Sequence, residues 1–308
     1  MPTLTELFHQ LMALGLEKVF FVFVGPIFIL SMAAESIYLH WRQAQTYSVS
    51  YTAINISLAL SHAVMDALAW IGLVFVFDWL HQYRLFDIPV TLWSMLGLLI
   101  LQDFLYYWFH RASHRIRWMW ASHVTHHSGE VMNLSTALRQ SPTYHLSGMW
   151  VFWLPLAVLG FSTSHIVLSV AVSLAYQFFV HTESVRQLPA WVEAIFNTPS
   201  HHRVHHGRNP QYLDRNYAGI LIIWDKLFGT FVPETIPCDY GIIGQIHTRN
   251  PLVMMFHEWG NLWRDVRRPG PLGLRLRHLW KPPGWQRDGT VPLHPASPPA
   301  DASLQDGR

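Results

Sequence analysis

The chain has 308 residues and a mass of 35.7 kDa, with 51% apolar residues, 13% charged residues and a mean hydropathy of +0.17. Soluble domains carry roughly 25% charged residues, so an ordinary soluble enzyme and extensive disorder are both excluded. A net charge of +2 offers no basic field for nucleic acid, and the single cysteine, Cys238, excludes a disulfide framework or a thiolate metal site.

A hydrocarbon core of ~30 Å takes about 20 mostly apolar residues to cross. Val19 to Tyr38 meets this, without a charge until Glu35. No Lys or Arg precedes Lys18, so the basic start of a cleaved signal is missing and a retained span is expected. Ile54 to Phe77 is the second candidate. It carries His62 and Asp66, four apart on one helix face, which is expected to look into a bundle. Ile88 to Phe109 is the third, clean until Asp103. Leu146 to Val180 is too long for one helix, and Gly160-Phe161-Ser162-Thr163-Ser164 divides it into two arms. The arms read as a helical hairpin, either dipping into the membrane or crossing it twice.

Arg111, Arg115 and Arg117 follow the third span, whereas the loop before it offers only Arg84. The positive-inside rule therefore expects residues 110–145 on the cytoplasmic face, and residues 181–308 with them. Leu252 to Val266 and Leu272 to Leu279 mix Trp, Leu and Arg at helical spacing, as helices packed on this cytoplasmic part or lying at the headgroups. Eight of the 19 prolines lie after residue 268, and the end of the chain reads as a disordered tail. The expected organisation is an all-α bundle of transmembrane helices (1–100), a catalytic region (101–235), a cytosolic segment (236–285) and the tail (286–308).

Twelve of the 20 histidines fall between residues 110 and 206. His110 and His114 form an HxxxH box. His123, His126 and His127 form an HxxHH box, and His202, His205 and His206 form a second. Residues three and four apart share a helix face, so each box can turn imidazoles toward one point. His181, at the end of the hairpin, returns to the same side, while the role of His201 stays open. A lone histidine is usually a hydrogen-bonded core residue, the reading given to the other ten. Clustered boxes call for a cation, and eight or nine ligands exceed what one ion takes, so two ions are expected. Nitrogen-only ligation suits Zn, Cu, Fe or Ni. Asp103 stands two turns before His110 on the same face, where it could accept an imidazole N–H. Glu183 and Asp225 are further acidic candidates. Asn133, Ser135, Thr136, Arg139 and Gln140 form a polar set that could recognise a headgroup or a cofactor, or could cap a loop.

An intramembrane zinc protease would show HExxH, and His257-Glu258-Trp259-Gly260 lacks the second histidine. A transporter would hold its ligands at the membrane midplane, and a haem needs only one or two. A redox-active ion pair beside a lipid-facing bundle fits oxygen chemistry on an apolar substrate. A non-catalytic membrane metal-binding protein is the reading from another class.

HxxxH, HxxHH and HxxHH in this order after a transmembrane helix resemble the fatty acid hydroxylase / sterol desaturase superfamily of membrane di-iron enzymes. DFLYYWFHRASH (103–114), HVTHHSGEVMNLSTALRQS (123–141), QFFVHTE (177–183), NTPSHHRVHHGRNP (197–210) and DRNYAGILIIWDKLFGTF (214–231) look like its alkylglycerol monooxygenase family. The resemblance implies a lipid C–H hydroxylase with two iron ions, O2 as co-substrate and an external donor, a tetrahydropterin or a redox protein. It implies iron ligation by the eight box histidines and by His181. Ether-lipid cleavage is the activity it implies, with a sterol or fatty acyl hydroxylase or desaturase as the alternative.

Overall fold

The computed structural model describes Glu6, residues 16–42 and residues 47–288. Most of the expected tail, from residue 289 on, lies outside the described residues. The fold is all-helical: among the described residues there is no strand, only two isolated bridges, Phe196–Leu221 and Gly207–Tyr240.

Four helices are long and apolar enough to cross a membrane: α1 (Leu16–Trp41), α2 (Val49–His81), α3 (Leu92–Arg115) and a fourth, α7 (Thr163–Val180), after the short elements below. This is a multi-pass membrane protein. Each helix begins where local chemistry permits. Ser48 caps α2 by accepting from Tyr51 N, and Thr91 with Ser94 closes a capping box on α3.

The two ends of the bundle are fixed by polar ties. At one end Asp78 accepts from Thr163 at 2.5 Å, Leu85 N donates to the Val158 carbonyl at 2.8 Å, and His81 lies 3.2 Å from the Gly160 carbonyl. Gly160 turns the chain there with φ +130°, and a Cβ on it would run into the Phe86 carbonyl. At the other end Asn55 donates to Ser135 at 3.2 Å, and buried Glu35 accepts from Leu134 N, Tyr47, Thr182 and Ser184. His62 and Asp66 do face the bundle, against the Ser141 carbonyl at 3.0 Å and His145 at 2.7 Å.

The hairpin differs from expectation in its first arm. It is not one helix but α5 (Tyr144–Ser147), a 3-10 turn (Met149–Trp153) and α6 (Leu154–Leu159). Gly148 at φ +85° breaks it, and Pro155, lacking an N–H, starts α6 afresh. These pieces still reach the far end of the bundle, since Val158 meets Leu85 there. Phe77, Leu98, Phe109, Trp153, Leu156 and Ile166 pack into the core between the arms and the spans.

The remaining helices sit at the end opposite Gly160. α4 (Arg117–His127) and a 3-10 turn (Leu134–Leu138) follow α3; α8 (Ala190–Ile195), α9 (Pro199–His206) and α10 (Ile223–Leu227) follow α7. α11 (Pro251–Arg267) and α12 (Leu272–Trp280) match the two expected C-terminal helices and clamp α4. Arg117 donates to Glu258 and Asp265, both at 2.7 Å, and Trp259 and Leu262 pack on Ala121.

Candidate metal centre

The C-terminal end of α3, together with α4, α9 and the residue closing α7, converges on a buried cluster of nine imidazoles. They form two groups. His110, His114, His123, His127 and His205 make one, and His126, His181, His202 and His206 make the other; within each, one nitrogen per ring lies within 4.8 Å of all the rest. Each HxxHH box is divided. Its i,i+4 pair (123 and 127; 202 and 206) enters one group, and its middle histidine (126; 205) crosses to the other. The helix turn permits this, because successive residues are about 100° apart around the axis and the i+3 ring is turned away from its i+4 neighbour.

The outer nitrogens fix the tautomers. His110, His126, His181 and His205 point Nδ1 at the carbonyls of Tyr217, Arg139, Gln177 and Arg215 at 2.7–3.2 Å. A carbonyl only accepts, so Nδ1 carries the hydrogen and Nε2 presents a bare lone pair. Yet His126 Nε2 and His181 Nε2 lie 3.1 Å apart. Two lone pairs at that distance repel unless a cation lies between them. The same spacing recurs between Nε2 atoms of His110–His123 (3.0 Å), His127–His205 (3.1 Å), His181–His202 (2.9 Å) and His202–His206 (3.1 Å). Ligands at right angles on bonds of ~2.1 Å lie ~3.0 Å apart, against ~3.4 Å for a tetrahedron. The donor set, buried and all nitrogen, thus fits the binding of metal. His114 Nε2 and His202 Nδ1 are buried with no protein partner.

Burial favours the neutral form of seven of these rings. It pushes His123, His126, His127, His202, His205 and His206 well below the ordinary imidazole range, and His181 down to about 4. His201 belongs to neither group. Its Nε2 meets Glu193 at 3.3 Å and its Nδ1 the Phe196 carbonyl at 3.2 Å.

The expectation for Asp103 needs correction. Its carboxylate accepts from Ile220 N at 2.7 Å, Leu221 N at 3.0 Å and Trp224 Nε1 at 2.9 Å, and from no imidazole. The i+7 spacing puts it on the His110 face, but the 217–224 segment lies between them. Asp225 holds the same segment by accepting from Tyr217 N and Ala218 N at 2.8 Å. Both acids therefore shape the loop whose Tyr217 carbonyl receives His110. Glu183 accepts from Tyr240 at 2.9 Å, away from the cluster. Asn133 caps its 3-10 turn, bonding Ser135 N at 3.0 Å, and Gln140 donates to the Ala137 carbonyl at 2.9 Å. Arg139 is buried beside the second group.

Three partners of the cluster escape a reading of the boxes. Tyr144 meets His123 Nδ1 at 2.7 Å, and Asp214 lies 3.6 Å from His114 Nδ1. Asp214 and Asn216 take positive φ of 57° and 54°, which turns the intervening Arg215 carbonyl onto His205. Asp and Asn tolerate that conformation better than other residues with side chains.

Residues 95–230 match the fatty acid hydroxylase family model. Alkylglycerol monooxygenase of Homo sapiens is 43% identical over 212 residues, covering 68% of this chain and 47% of that protein. A fatty acid hydroxylase region thus occupies residues 95–230 of this chain. Two more distant relatives are the ornithine lipid hydroxylase of Rhizobium tropici, 30% identical over 51% of this chain and 48% of that one, and a cholesterol 25-hydroxylase-like protein of Danio rerio, 28% identical over 69% and 86%. The chain spans about half the length of the alkylglycerol monooxygenases it matches. No solved structure matches it. Residues 95–230 contain all nine clustered histidines, Asp103, Asp225 and Tyr144.

Proposed function

We propose that this protein is a membrane di-iron oxygenase that hydroxylates a C–H bond of a lipid, and that its substrate is an alkylglycerol-type ether lipid. The two nitrogen-only groups of buried histidines carry the reading. His110, His114, His123, His127 and His205 would hold one iron, and His126, His181, His202 and His206 the other. Iron pairs supply the two-electron redox chemistry with O2 that zinc, without an accessible second oxidation state, does not.

In the overall reaction one oxygen atom enters the lipid C–H bond and the other leaves as water. Two electrons and two protons come from an external donor, a tetrahydropterin or a redox protein. Hydroxylation at the carbon next to the ether oxygen gives a hemiacetal, which collapses to a fatty aldehyde and a glycerol lipid. The chain's own part is positioning and exclusion. The Tyr217, Arg139, Gln177 and Arg215 carbonyls fix the ring planes of four ligands. Every ligand ring is buried, which keeps bulk water from the reacting carbon. The spans hold the cluster at one end of an apolar bundle, where a lipid reaches it without leaving the bilayer. By the positive-inside bias after α3 that end faces the cytoplasm.

The similarity to a lipid hydroxylase and a sterol hydroxylase-like protein supports a second reading, a sterol or acyl hydroxylase or desaturase. The test is fatty aldehyde release from an alkylglycerol in air by the iron-loaded protein, with and without a tetrahydropterin. Aldehyde that depends on both oxygen and pterin is expected. No aldehyde from a sample with iron in place would overturn the ether-lipid substrate, and a protein holding zinc alone would overturn the oxygenase.

A further inference from the structure

Arg139 is an anomaly in charge. The side chain is 2% exposed, yet its hydrogen bonds go only to neutral acceptors: the Thr125 carbonyl, Ser128 Oγ, Asn55 Oδ1 and the Met254 sulfur. Buried charges are as a rule paired, because an isolated one loses its hydration without return. Tyr51 covers the guanidinium with its ring, 5.6 Å from Cζ. The bond from Nη2 to the Met254 sulfur, at 3.1 Å, uses a weak acceptor.

Arg139 and Met254 both line a cavity of about 240 Å³, several times the ~30 Å³ share of one liquid water. The other walls include Ser48, Ser50, Tyr51, Ser128, Thr248 and Arg249, each with a polar side chain. Ser48 and Ser50 belong to the cap and first turn of α2, whose unpaired N–H groups carry about half a positive charge. One acid, Glu130, also lines the cavity, and it lies 3.3 Å from His247. The cavity thus has two arginines, a helix N-terminus and five hydroxyl-bearing residues along its walls against one carboxylate.

We propose that this cavity binds a phosphate group. Its level favours a lipid phosphate, since the first turn of a membrane-spanning helix lies at headgroup depth. It also adjoins the candidate metal centre: the Arg139 carbonyl receives His126, and Ser128 follows His127 directly. A phospholipid held there has its glycerol beside the cluster. The inference deepens the lipid reading above, but its test involves no turnover, so its failure leaves the oxygenase reading standing.

The experiment measures equilibrium binding to delipidated full-length protein in neutral detergent. The probes are short-chain phosphatidic acid, the matching neutral diacylglycerol and inorganic phosphate. Phosphatidic acid should bind at least tenfold more tightly than diacylglycerol and be displaced by inorganic phosphate. Ser50→Asp places a carboxylate at the cavity wall while favouring the helix start, so binding should fall at least tenfold with thermal stability retained. Ser50→Asn should bind as the parent does. Phosphate binding as tight as the lipid's would assign the site to free phosphate, and tighter lipid binding to a headgroup. Equal affinity for the two lipids, or indifference to Ser50→Asp, would overturn the proposal.

Discussion

The Tyr144 hydroxyl lies 2.7 Å from Nδ1 of His123, and it is the one side-chain hydroxyl found on the outer nitrogen of a clustered histidine among the described residues. Four other rings in the cluster rest on backbone carbonyls, which a substitution cannot delete. Tyr144→Phe removes the acceptor and leaves a buried N–H unsatisfied. Loss of such an outer partner weakens metal affinity by about 10–100-fold. Competition with a chelator should show that loss in Tyr144→Phe with helical content unchanged; parental metal retention would make the contact incidental.

The division of the boxes predicts separable metal losses. His126→Ala removes a ligand from the four-membered group and should lower bound metal from about two ions to about one. His201→Ala, one residue from a ligand but paired with Glu193 instead, should keep both. Elemental analysis of the two purified variants decides. Equal metal content in the two would contradict the grouping.

Acid should unfold the metal-free protein. Burial holds seven of the clustered rings well below the unfolded value of 6.5. Between the folded and unfolded values the unfolded chain binds more protons, so stability is full above pH ~6.5 and falls as pH drops. Each ring contributes up to about 1.4 kcal/mol per pH unit there. Bound metal competes with those protons, so the loaded protein should hold to lower pH. Thermal scans of both forms from pH 8 to 5 test this, and a flat profile for the metal-free form would refute it.

Arg117 ties the start of α4 to α11 through Glu258 and Asp265, with all three side chains less than one-fifth exposed. Arg117→Ala strands Glu258 and leaves Asp265 only Arg268, at 3.0 Å, and breaking a buried pair in this way costs about 3–5 kcal/mol. The variant should melt at lower temperature and release metal faster, because α4 carries His123, His126 and His127. Chemical denaturation of parent and variant gives the difference.

The sequence by itself determined the membrane class, the three spans before the boxes, both C-terminal helices and the identity of all nine clustered histidines. These are local properties: hydropathy over a helix length and spacing on a helix face survive any arrangement of the elements. Only the tertiary structure decided how nine rings become five and four, because that depends on how closely α4 and α9 approach and in what phase. It also moved Asp103 from an imidazole to the backbone of Ile220 and Leu221, which arrive from more than a hundred residues away. Tyr144 was invisible for the same reason. The turn that delivers it to His123 is short and irregular, and no periodicity announces a contact made across the bundle.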